Sequence, residues 1–389
     1  MSTRARILFF LPSLSGGGAE RTVLNILKNY DKEVFELKVC LLDFDGLYSA
    51  MVPEHSILNS LDKGAFSISK SANPLYSLYK FFVFILPTQY RAIKTYDPDI
   101  IITVTESMNY ISLIWKILGF TKDRIWVIRS GNNILAEAKS KGIVFGNLLM
   151  FLLKKAYTKA DHIITLTHGA KSEIVSTYMI EESKVSVLGN PVDLEGIALT
   201  REEPIEHSYR YILGVGRLVP QKNFSLLLQG YQKSMAPSAG IHLVVLGVGS
   251  EQQQLMNLAK ELGICSMVHF KGFKKNPYHY MKNAEAFVLS SKWEGFGHVL
   301  VEALACECPV ISTDCNFGPA EILDNGRFGK LISVVDPLTL ADGINATLSL
   351  EKEEKQEITA RGKERAGNYS VEKIGESYEI LFSKLCRNQ

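Results

Sequence analysis

Short apolar runs rich in β-branched residues alternate with amphipathic helical stretches along this 389-residue sequence. Parallel α/β sheets produce this alternation, because each buried strand is followed by a crossover helix before the next parallel strand. The series occurs twice, and a polar, acidic stretch around residues 200–208 that contains Pro204 separates the two. The pattern predicts an α/β protein of two Rossmann-like lobes, with parallel sheets that face a central cleft.

The predicted elements divide the chain into three parts. We expect a first lobe over residues 1–200, a second over 201–370, and a C-terminal helix within 371–389 that packs back on the first lobe. The predicted strands are 6–11, 37–42, 100–104, 125–128, 162–166 and 184–188, then 211–215, 242–246, 268–270, 286–289, 310–312 and 330–332. The predicted helices are 19–29, 224–233, 251–262, 277–283, 299–306, 338–348, 351–366 and 371–385.

Composition narrows the class of protein. The formal net charge of +2 gives no sign of a nucleic-acid binder. The six cysteines are scattered without a Cys-x-x-Cys pair, which is typical of reduced thiols in the cytoplasm and predicts no bound metal. No apolar run has the length of a membrane span, and the one after Arg6 is too short for a secretory signal. We therefore expect a cytoplasmic protein that is soluble or peripheral on a membrane.

Two glutamates are the most specific chemical feature. Glu294 lies in a glycine-flanked loop after a predicted strand, and Glu302 lies about one turn into the next helix. Helix side chains lean toward the N-terminus, so both carboxylates can approach the same ligand. A helix N-terminus with two carboxylates is better suited to a polyol than to a bare phosphate. This arrangement predicts a nucleotide sugar, provided that cations elsewhere hold its diphosphate.

Two other turns supply candidate phosphate contacts. Three consecutive glycines, 16–18, follow the first strand, where amide groups and a helix N-terminus can approach an anion. Arg217 and Lys222 bracket a proline-containing turn after the first strand of the second lobe, next to Gly216. A planar guanidinium and a compact ammonium are a natural pair for a diphosphate.

Five segments in this order, residues 16–21, 189–193, 214–223, 294–302 and 308–322, resemble the retaining glycosyltransferases of family 4. The resemblance extends over nearly the whole chain. It implies the two-lobed GT-B fold and metal-independent sugar transfer from a nucleotide sugar with retention of anomeric configuration. No enzyme nucleophile and no cofactor are then needed.

The resemblance also implies roles for matched residues. Glu294 would contact donor-sugar hydroxyls, Glu302 the nucleotide ribose, and Arg217 with Lys222 the diphosphate of the departing nucleotide. We accordingly expect Glu294, Arg217 and Lys222 to be catalytic. The expected nucleotide-sugar-binding residues are Gly16, Gly17, Gly18, Gly216, Arg217, Lys222, Glu294, Gly295, Phe296, Gly297 and Glu302.

One position departs from the family pattern. Many relatives carry a first-lobe histidine after the strand matched here by 126–128, whereas this chain has Arg129, Asn132 and Asn133 in that region. Each of these, and His298 at the second-lobe helix start, is a candidate sugar or acceptor contact. His168 and His162 are interpreted as a loop residue and a structural residue, respectively.

The acceptor is predicted from basic and aromatic stretches at residues 64–96 and 138–160, which lack acidic side chains. Such mixtures suit an anionic membrane surface, although the apolar stripes would equally pack on the first sheet. We expect a lipid-linked, polyprenyl diphosphate glycan acceptor at the inner face of the cytoplasmic membrane. By family resemblance the donor is a UDP-linked hexose or N-acetylhexosamine, and the product is O-antigen, capsule or lipid-linked oligosaccharide.

Three other functions remain open from sequence. A nucleotide-sugar 2-epimerase shares the architecture but needs further acid–base groups. An NAD-dependent oxidoreductase needs a dinucleotide fingerprint, which neither residues 16–18 nor 247–249 supply. A non-catalytic glycan-binding protein would tolerate Glu302→Gln and Lys222→Ala. Nucleotide release in the presence of an acceptor separates these alternatives from transfer.

Overall fold

The computed structural model describes residues 4–14, 17–43, 46, 48–58, 85–131, 143–205, 208–332 and 336–387. These residues form two compact units: residues 1–191 together with 371–389, and residues 192–370. Each unit has its own parallel sheet and its own hydrophobic core. The units are therefore described one at a time.

The first unit contains a six-stranded sheet in the order β2-β1-β3-β4-β5-β6, with every described pairing parallel. Its strands are β1 (Ala5–Leu11), β2 (Phe35–Leu41), β3 (Ile100–Val104), β4 (Ile125–Arg129), β5 (His162–Thr165) and β6 (Val185–Val187). Its described helices are α1 (Gly18–Lys28), α2 (Leu86–Tyr96), α3 (Glu106–Ile117), α4 (Ile143–Lys159), α5 (His168–Tyr178) and a C-terminal helix, Val371–Arg387. Short 3-10 turns lie at Ser49–Met51, Glu54–Ser56 and Glu182–Lys184.

The second unit contains a six-stranded parallel sheet in the order β12-β11-β10-β7-β8-β9. Its strands are β7 (Tyr211–Val215), β8 (His242–Leu246), β9 (Val268–Phe270), β10 (Ala286–Leu289), β11 (Val310–Thr313) and β12 (Lys330–Ile332). Its described helices are α6 (Leu194–Thr200), α7 (Phe224–Lys233), α8 (Gln252–Glu261), α9 (Tyr278–Asn283), α10 (His298–Ala305), α11 (Pro319–Ile322), α12 (Pro337–Leu348) and α13 (Lys352–Ala366). The C-terminal helix is α14, and a 3-10 turn, Gly367–Tyr369, precedes it.

The two parallel sheets confirm the predicted fold class. They form because the β-branched runs are buried on both faces, as strands between two helical layers must be. Each predicted strand is present, with ends that differ by up to two residues; β2, for example, begins at Phe35 rather than residue 37. Strand ends shift because the last hydrogen bonds depend on the neighbouring strand as well as on local sequence.

The division between the units lies after Pro191 rather than after residue 200. The reason is α6, which packs beside α9 and α10 and buries Ile197 in the second unit. The polar stretch that suggested a linker therefore follows the first helix of the second unit. Polarity marked an exposed loop there, not the point where the chain leaves the first core.

The C-terminal helix α14 belongs to the first unit. Its apolar face contributes Ile374, Tyr378, Leu381 and Phe382 to the core beneath β1 and β2. Ile374, Tyr378 and Phe382 are four residues apart and Leu381 lies three residues after Tyr378, so these side chains share one helical face. None of the helices in the described ranges is long and apolar enough to cross a membrane.

Candidate active site

The carboxyl ends of β7 and β10 place the two main sequence candidates together in the second unit. These strands are neighbours, and the sheet reverses its strand order between them. Open α/β sheets bind ligands at such a switch point, where the loops after adjacent strands diverge. The loop after β7 carries Lys222 and the loop after β10 carries Glu294. The distance between Lys222 Nζ and Glu294 Oε1 is 2.6 Å.

This ion pair is largely shielded from solvent. The Lys222 and Glu294 side chains are 15% and 7% exposed, so their charges are attracted more strongly than at an open surface. Glu294 Oε1 also accepts from Ser291 Oγ, and the Ser291 carbonyl accepts from Thr313 Oγ1 at 2.6 Å. Glu294 Oε2 has no hydrogen bond within the described residues. That oxygen remains available to accept from a ligand hydroxyl.

Further hydrogen bonds join the two loops. Ser290 Oγ donates to the Lys222 carbonyl at 3.0 Å, and the Lys292 amide donates to the Gln221 carbonyl at 2.8 Å. In the other direction, Gln221 Nε2 donates to the Trp293 carbonyl at 3.0 Å. The loops are thereby held in one arrangement before any ligand binds, which lowers the ordering cost of binding.

A glycine-rich turn connects Glu294 to α10. Within the described part of the chain, the amides of Gly295, Phe296 and Gly297 donate no hydrogen bond, and they lie at the N-terminus of α10. Gly297 has φ +94°, a left-handed conformation that favours glycine. Three amides at a helix N-terminus form a binding site for an anion or for a sugar oxygen.

A neighbouring loop supports this turn. The Glu294 amide donates to the Asn316 carbonyl at 2.9 Å, and the Phe317 amide donates back to the Glu294 carbonyl at 3.0 Å. A Cβ at Gly318 would lie 1.5 Å from the Phe296 carbonyl oxygen, so only glycine allows this approach. The side chain of Phe296 itself packs against Tyr369, with ring centroids 5.3 Å apart. Phe296 can therefore contact a ligand through its backbone only.

Glu302 lies one turn into α10, as the sequence predicted, and is buried. Tyr278 Oη donates to Glu302 Oε1 at 3.3 Å, and His298 Nε2 lies 3.6 Å from the same oxygen. His298 thus lies beside Glu302 at the start of the helix. The Tyr278 hydroxyl and the His298 imidazole therefore both lie against the Glu302 carboxylate.

Arg217 differs from Lys222 because its side chain is exposed and has no hydrogen bond or ion pair among the described residues. The Lys222 side chain packs against Gly216, the residue before Arg217, where a Cβ would lie 3.5 Å from Lys222 Cγ and Cδ. The turn therefore offers one paired cation and one exposed cation without a pair in the described ranges, a combination suited to a diphosphate.

In the first unit, Arg129 ends β4 and is fully buried. Its Nε donates to Tyr378 Oη at 3.0 Å, and Nη2 donates to Asn190 Oδ1 and, at 3.5 Å, to Thr22 Oγ1. Nη1 has no hydrogen-bond partner within the described ranges. Arg129 joins β4 to three other segments of the same unit, so its first role is structural. Contact with a sugar or an acceptor stays a prediction.

In the glycine turn of the first unit, a backbone amide already has a hydrogen-bond acceptor within the protein. Gly17 caps α1, and its amide donates to the Glu20 carboxylate. Glu20 satisfies an amide that the sequence had assigned to a phosphate, in a capping-box arrangement. Gly18 begins the helix, and its carbonyl accepts from Thr22 Oγ1 at 2.9 Å. Gly16 lies outside the described residues, as do Asn132 and Asn133.

His162 lies as interpreted, whereas His168 begins a helix and is not a loop residue. His168 is exposed at the start of α5. His162 is buried at the start of β5, and its Nε2 lies 2.9 Å from Ser186 Oγ. Burial, followed by the nearby Lys384 and Lys171 charges, lowers the pKa of His162 to about 4. Its imidazole is neutral at physiological pH, consistent with a structural residue.

Several site residues were not anticipated from sequence. They are Ser291, Thr313, Tyr278, Glu20, Asn190 and Tyr378. Glu20 had a signal, since an acid three residues after a cap position is a capping box. Ser291 is only three residues from Glu294, and Asn190 and Thr313 lie in segments that carry the family resemblance, but their contacts were not predicted. Tyr278 and Tyr378 reach their partners from distant parts of the sequence.

The arrangement can hold a polyol diphosphate. It offers cations for phosphates, a carboxylate oxygen that can accept from hydroxyls, and amides at a helix N-terminus that can donate to further oxygens. Across the described ranges, no cluster of three or more His, Cys, Asp or Glu side chains could hold a metal ion. Beside Glu294, burial and then that carboxylate raise the pKa of the Cys315 thiol to about 12, so this thiol is not a nucleophile.

Family models match both parts of the chain. Residues 16–195 match Glycosyltransferase Family 4, and residues 197–365 match Glycosyl transferases group 1. A Campylobacter jejuni enzyme is 31% identical over 368 residues, which cover 94% of this chain and 96% of that protein. It is named N-acetylgalactosamine-N,N'-diacetylbacillosaminyl-diphospho-undecaprenol 4-alpha-N-acetylgalactosaminyltransferase. The Salmonella typhimurium lipopolysaccharide 1,6-galactosyltransferase is 23% identical and covers 98% of this chain and 99% of its own.

Solved structures share the fold. Anabaena HepE, in complex with UDP and glucose, superposes with a TM-score of 0.76 at 20% identity, covering 98% of this chain and 100% of its own. Sucrose-phosphate synthase from Thermosynechococcus elongatus gives a TM-score of 0.77 at 17% identity, covering 99% and 100%. At these identities the likeness shows the two-lobed GT-B architecture and nothing about substrates.

Proposed function

The chain belongs to the family 4 glycosyltransferases, and from that premise we propose that it is a retaining enzyme that transfers a hexose or N-acetylhexosamine from UDP to a lipid-linked saccharide. The observation that carries the proposal is the shielded Lys222–Glu294 pair beside three open amides, at the switch point of the second sheet. Each group has a partner in the donor.

Lys222 fits the diphosphate although it is paired with Glu294. An ammonium has three donors, and Glu294 Oε1 uses one of them. The remaining donors and the exposed Arg217 guanidinium bind phosphate oxygens. These contacts strengthen as the leaving UDP gains charge, so they stabilise the transition state more than the bound donor.

The Glu294 and Glu302 carboxylates bind the remaining parts of the donor, the sugar and the ribose. Glu294 Oε2 accepts from sugar hydroxyls, and Glu302, fixed by Tyr278, accepts from the ribose. The acceptor hydroxyl forms its bond to the anomeric carbon on the face from which the diphosphate oxygen departs. Its proton goes to that departing oxygen. No metal and no enzyme nucleophile take part, and the anomeric configuration is retained.

Support for the acceptor comes from the relatives. The Campylobacter jejuni enzyme is named for a diphospho-undecaprenol acceptor and an α linkage, and the Salmonella typhimurium relative for lipopolysaccharide. We assign the present enzyme to the same chemistry, the assembly of a bacterial surface glycan such as O-antigen, capsule or lipid-linked oligosaccharide. The lipid diphosphate would place the reaction at the cytoplasmic face of the inner membrane.

Helix α4 offers a membrane-facing surface for this acceptor. Leu148 and Phe151 are 53% and 57% exposed, and Lys154, Lys155 and Lys159 extend the same helix with exposed cations. Lys155 Nζ lies 5.6 Å from the Phe151 ring centroid. Apolar side chains beside lysines suit an anionic bilayer surface.

The transfer proposal is tested by supplying UDP-hexoses and UDP-N-acetylhexosamines with and without polyprenyl-diphosphate saccharides. Acceptor-dependent UDP release with a new glycolipid is expected, with product NMR giving the donor's anomeric configuration and EDTA leaving the rate unchanged. Isomerised sugar without transfer would instead identify an epimerase. Binding without UDP release would identify a glycan-binding protein.

The membrane surface is tested by sedimentation with phosphatidylglycerol vesicles. Leu148→Ser/Phe151→Ser is expected to lower bound protein several-fold, because two apolar contacts are lost. Leu199→Ser, which changes an 83% exposed leucine of the second unit, is the matched control. Equal binding by all three proteins would refute this surface while leaving the transfer proposal intact.

A further inference from the structure

A cavity of about 730 Å³ lies in the first unit at the amino ends of β4 and β5. Ile125 and His162, which begin these strands, form part of its wall. It is therefore at the opposite edge of the sheet from Arg129, which ends β4. Neither the sequence motifs nor the proposed reaction accounts for it.

The wall of this cavity is strongly basic. Five cationic side chains line it against two carboxylates, those of Asp123 and Asp161; the cations are Lys116, Lys122, Arg124, Lys184 and Lys384. Asp161 is already engaged, since it accepts from Lys116 Nζ at 3.2 Å and from the Trp126 amide at 2.9 Å. Its charge is therefore largely compensated.

Three of the cations have no such compensation. Lys122, Lys184 and Lys384 are exposed and take part in no ion pair among the residues described. They come from three segments: the turn before β4, the turn before β6, and α14. Like charges converge here only because the fold brings these segments together, and an anion between them would relieve their repulsion.

Hydrogen-bond donors in the wall also lack protein partners. Thr121 is 1% exposed, and its Oγ1 has no hydrogen-bond partner within the described structure. Arg124 Nε is likewise buried without a partner, although Nη2 of the same side chain pairs with Asp97. Buried donors without acceptors are uncommon in folded proteins, so the protein does not fully satisfy the polar groups beneath this wall. His162 adds no charge, because burial lowers its pKa to about 4.

We propose that this basic cavity binds an anion that carries phosphate groups with at least two negative charges. Its volume lies in the range of small-molecule sites. The three exposed lysines supply both the charge and the hydrogen-bond donors for phosphate oxygens. The phosphate belongs either to a free phosphorylated metabolite or to a lipid headgroup. The proposal is separate from the transfer reaction, since the cavity belongs to the first unit and Lys222 and Glu294 belong to the second.

The first test is lysine footprinting of the full chain with inorganic pyrophosphate as the probe. Amine acetylation at Lys122, Lys184 and Lys384 is expected to slow at least threefold when pyrophosphate is added. Exposed lysines of the second unit, Lys260, Lys330 and Lys352, are internal controls in the same sample and should keep their rates. Uniform slowing, or none, at low ionic strength would overturn the proposal.

The second test compares two triple variants by calorimetry, with UDP present to occupy the donor site. The cavity variant, Lys122→Ala/Lys184→Ala/Lys384→Ala, is expected to weaken pyrophosphate binding at least tenfold. The control variant, Lys260→Ala/Lys330→Ala/Lys352→Ala, has the same change in net charge and should weaken binding less than twofold. Equal weakening would show non-specific screening and refute the site. The footprinting of the wild-type chain needs no substituted protein, so a poorly folded variant leaves the proposal testable.

Phosphatidylglycerol vesicles distinguish the source of the phosphate. If pyrophosphate displaces the protein from vesicles, and the cavity variant binds them weakly, the ligand is a lipid headgroup. If vesicle binding is unchanged while the pyrophosphate footprint persists, the ligand is a free phosphorylated molecule. If pyrophosphate protected the three lysines neither with nor without vesicles, both the lipid headgroup and the free phosphorylated molecule would be contradicted.

Discussion

The carboxyl ends of the two sheets use similar residues in different ways. In the second unit, Lys222 and Glu294 hold each other while Glu294 Oε2, the Arg217 guanidinium and three amides stay available. In the first unit, the guanidinium of Arg129 is buried against Tyr378 and Asn190, and Glu20 caps the glycine turn. Polar groups at one sheet edge are thus left available to a ligand, whereas at the other edge they stabilise the fold.

The comparison shows that residue type and position at a strand end do not decide function by themselves. The role of a residue depends on whether other groups of the protein already supply its hydrogen-bond and charge partners. Removing a satisfied group should cost stability, and removing an available group should cost activity with little loss of stability. The predictions below separate these two outcomes, from the largest effect to the smallest.

Lys222→Ala should have the largest effect, because it removes a phosphate contact and leaves Glu294 buried without its cation. We expect kcat/KM to fall at least 1000-fold and the unfolding free energy to fall by about 3 kcal/mol. Enzyme assays and urea denaturation measure the two. Lys222→Met/Glu294→Gln should recover most of the stability and none of the activity. If the neutral pair were active, the pair would serve the fold alone.

Arg217→Ala should separate the two properties most clearly. Its exposed side chain makes no hydrogen bond or ion pair among the described residues, so the unfolding free energy should change by less than about 0.5 kcal/mol. Loss of a charge-assisted phosphate contact should lower kcat/KM by about 10- to 100-fold. Exposed Lys260→Ala is the control. Unchanged kcat/KM would remove Arg217 from the donor site.

The first unit should lose stability as pH falls from about 6.5 to 4. His162 is neutral in the folded state because burial lowers its pKa to about 4, whereas the unfolded residue takes up a proton near 6.5. Its neutral form therefore contributes stability above pH 6.5 that is lost as pH falls, on the order of 2 kcal/mol at pH 5. His162→Gln should flatten this dependence in urea titrations followed by tryptophan fluorescence.

The second unit should respond only at lower pH. Hydrogen bonds from Lys363, and from Arg201, lower the pKa of Glu307 from 4.5 to about 2. The stability that this carboxylate contributes is present above about pH 4.5 and lost as pH falls toward 2. Trp115 and Trp126 report on the first unit and Trp293 on the second. A simultaneous response at pH 5 would contradict this assignment.

Tyr378→Phe should have the smallest effect. It removes the oxygen that accepts from Arg129 Nε, and a buried hydrogen bond to a charged donor is worth about 1.5–3 kcal/mol. Relaxation of Arg129 toward Asn190 should reduce the measured loss to about 1 kcal/mol. UDP release in the absence of acceptor should be unchanged. Tyr231→Phe, at another buried tyrosine hydroxyl, is the control.

Much of the fold was predictable because it depends on local patterns. Buried strands such as β7 and β10 are β-branched runs bounded by turn residues, and these signals survive folding. The boundary after Pro191 was not predictable, because it depends on which core buries Ile197. A polar stretch of sequence indicates only that it is exposed to solvent. The turn after α6 would be exposed whichever of the two units α6 packed against.

The candidate site was predictable where spacing carried the information. Glu294 and Glu302 are placed by one loop and one helix, so their separation is fixed by local geometry. The partners of these groups were not predictable. Ser291 and Tyr278 act because their hydroxyls reach a carboxylate in the folded chain, and many serines and tyrosines elsewhere do not.

The sequence by itself determined the alternation of strands and helices, the glycine turns and the types of charge that follow each strand, because these depend on neighbours in the chain. The tertiary structure decided which charged groups pair with, or lie close to, one another. It paired Lys222 with Glu294, buried Arg129 with Tyr378 and gathered Lys122, Lys184 and Lys384 around one cavity. The physical reason is that electrostatic and hydrogen-bond partners are set by distance in space, which only the packed sheets define.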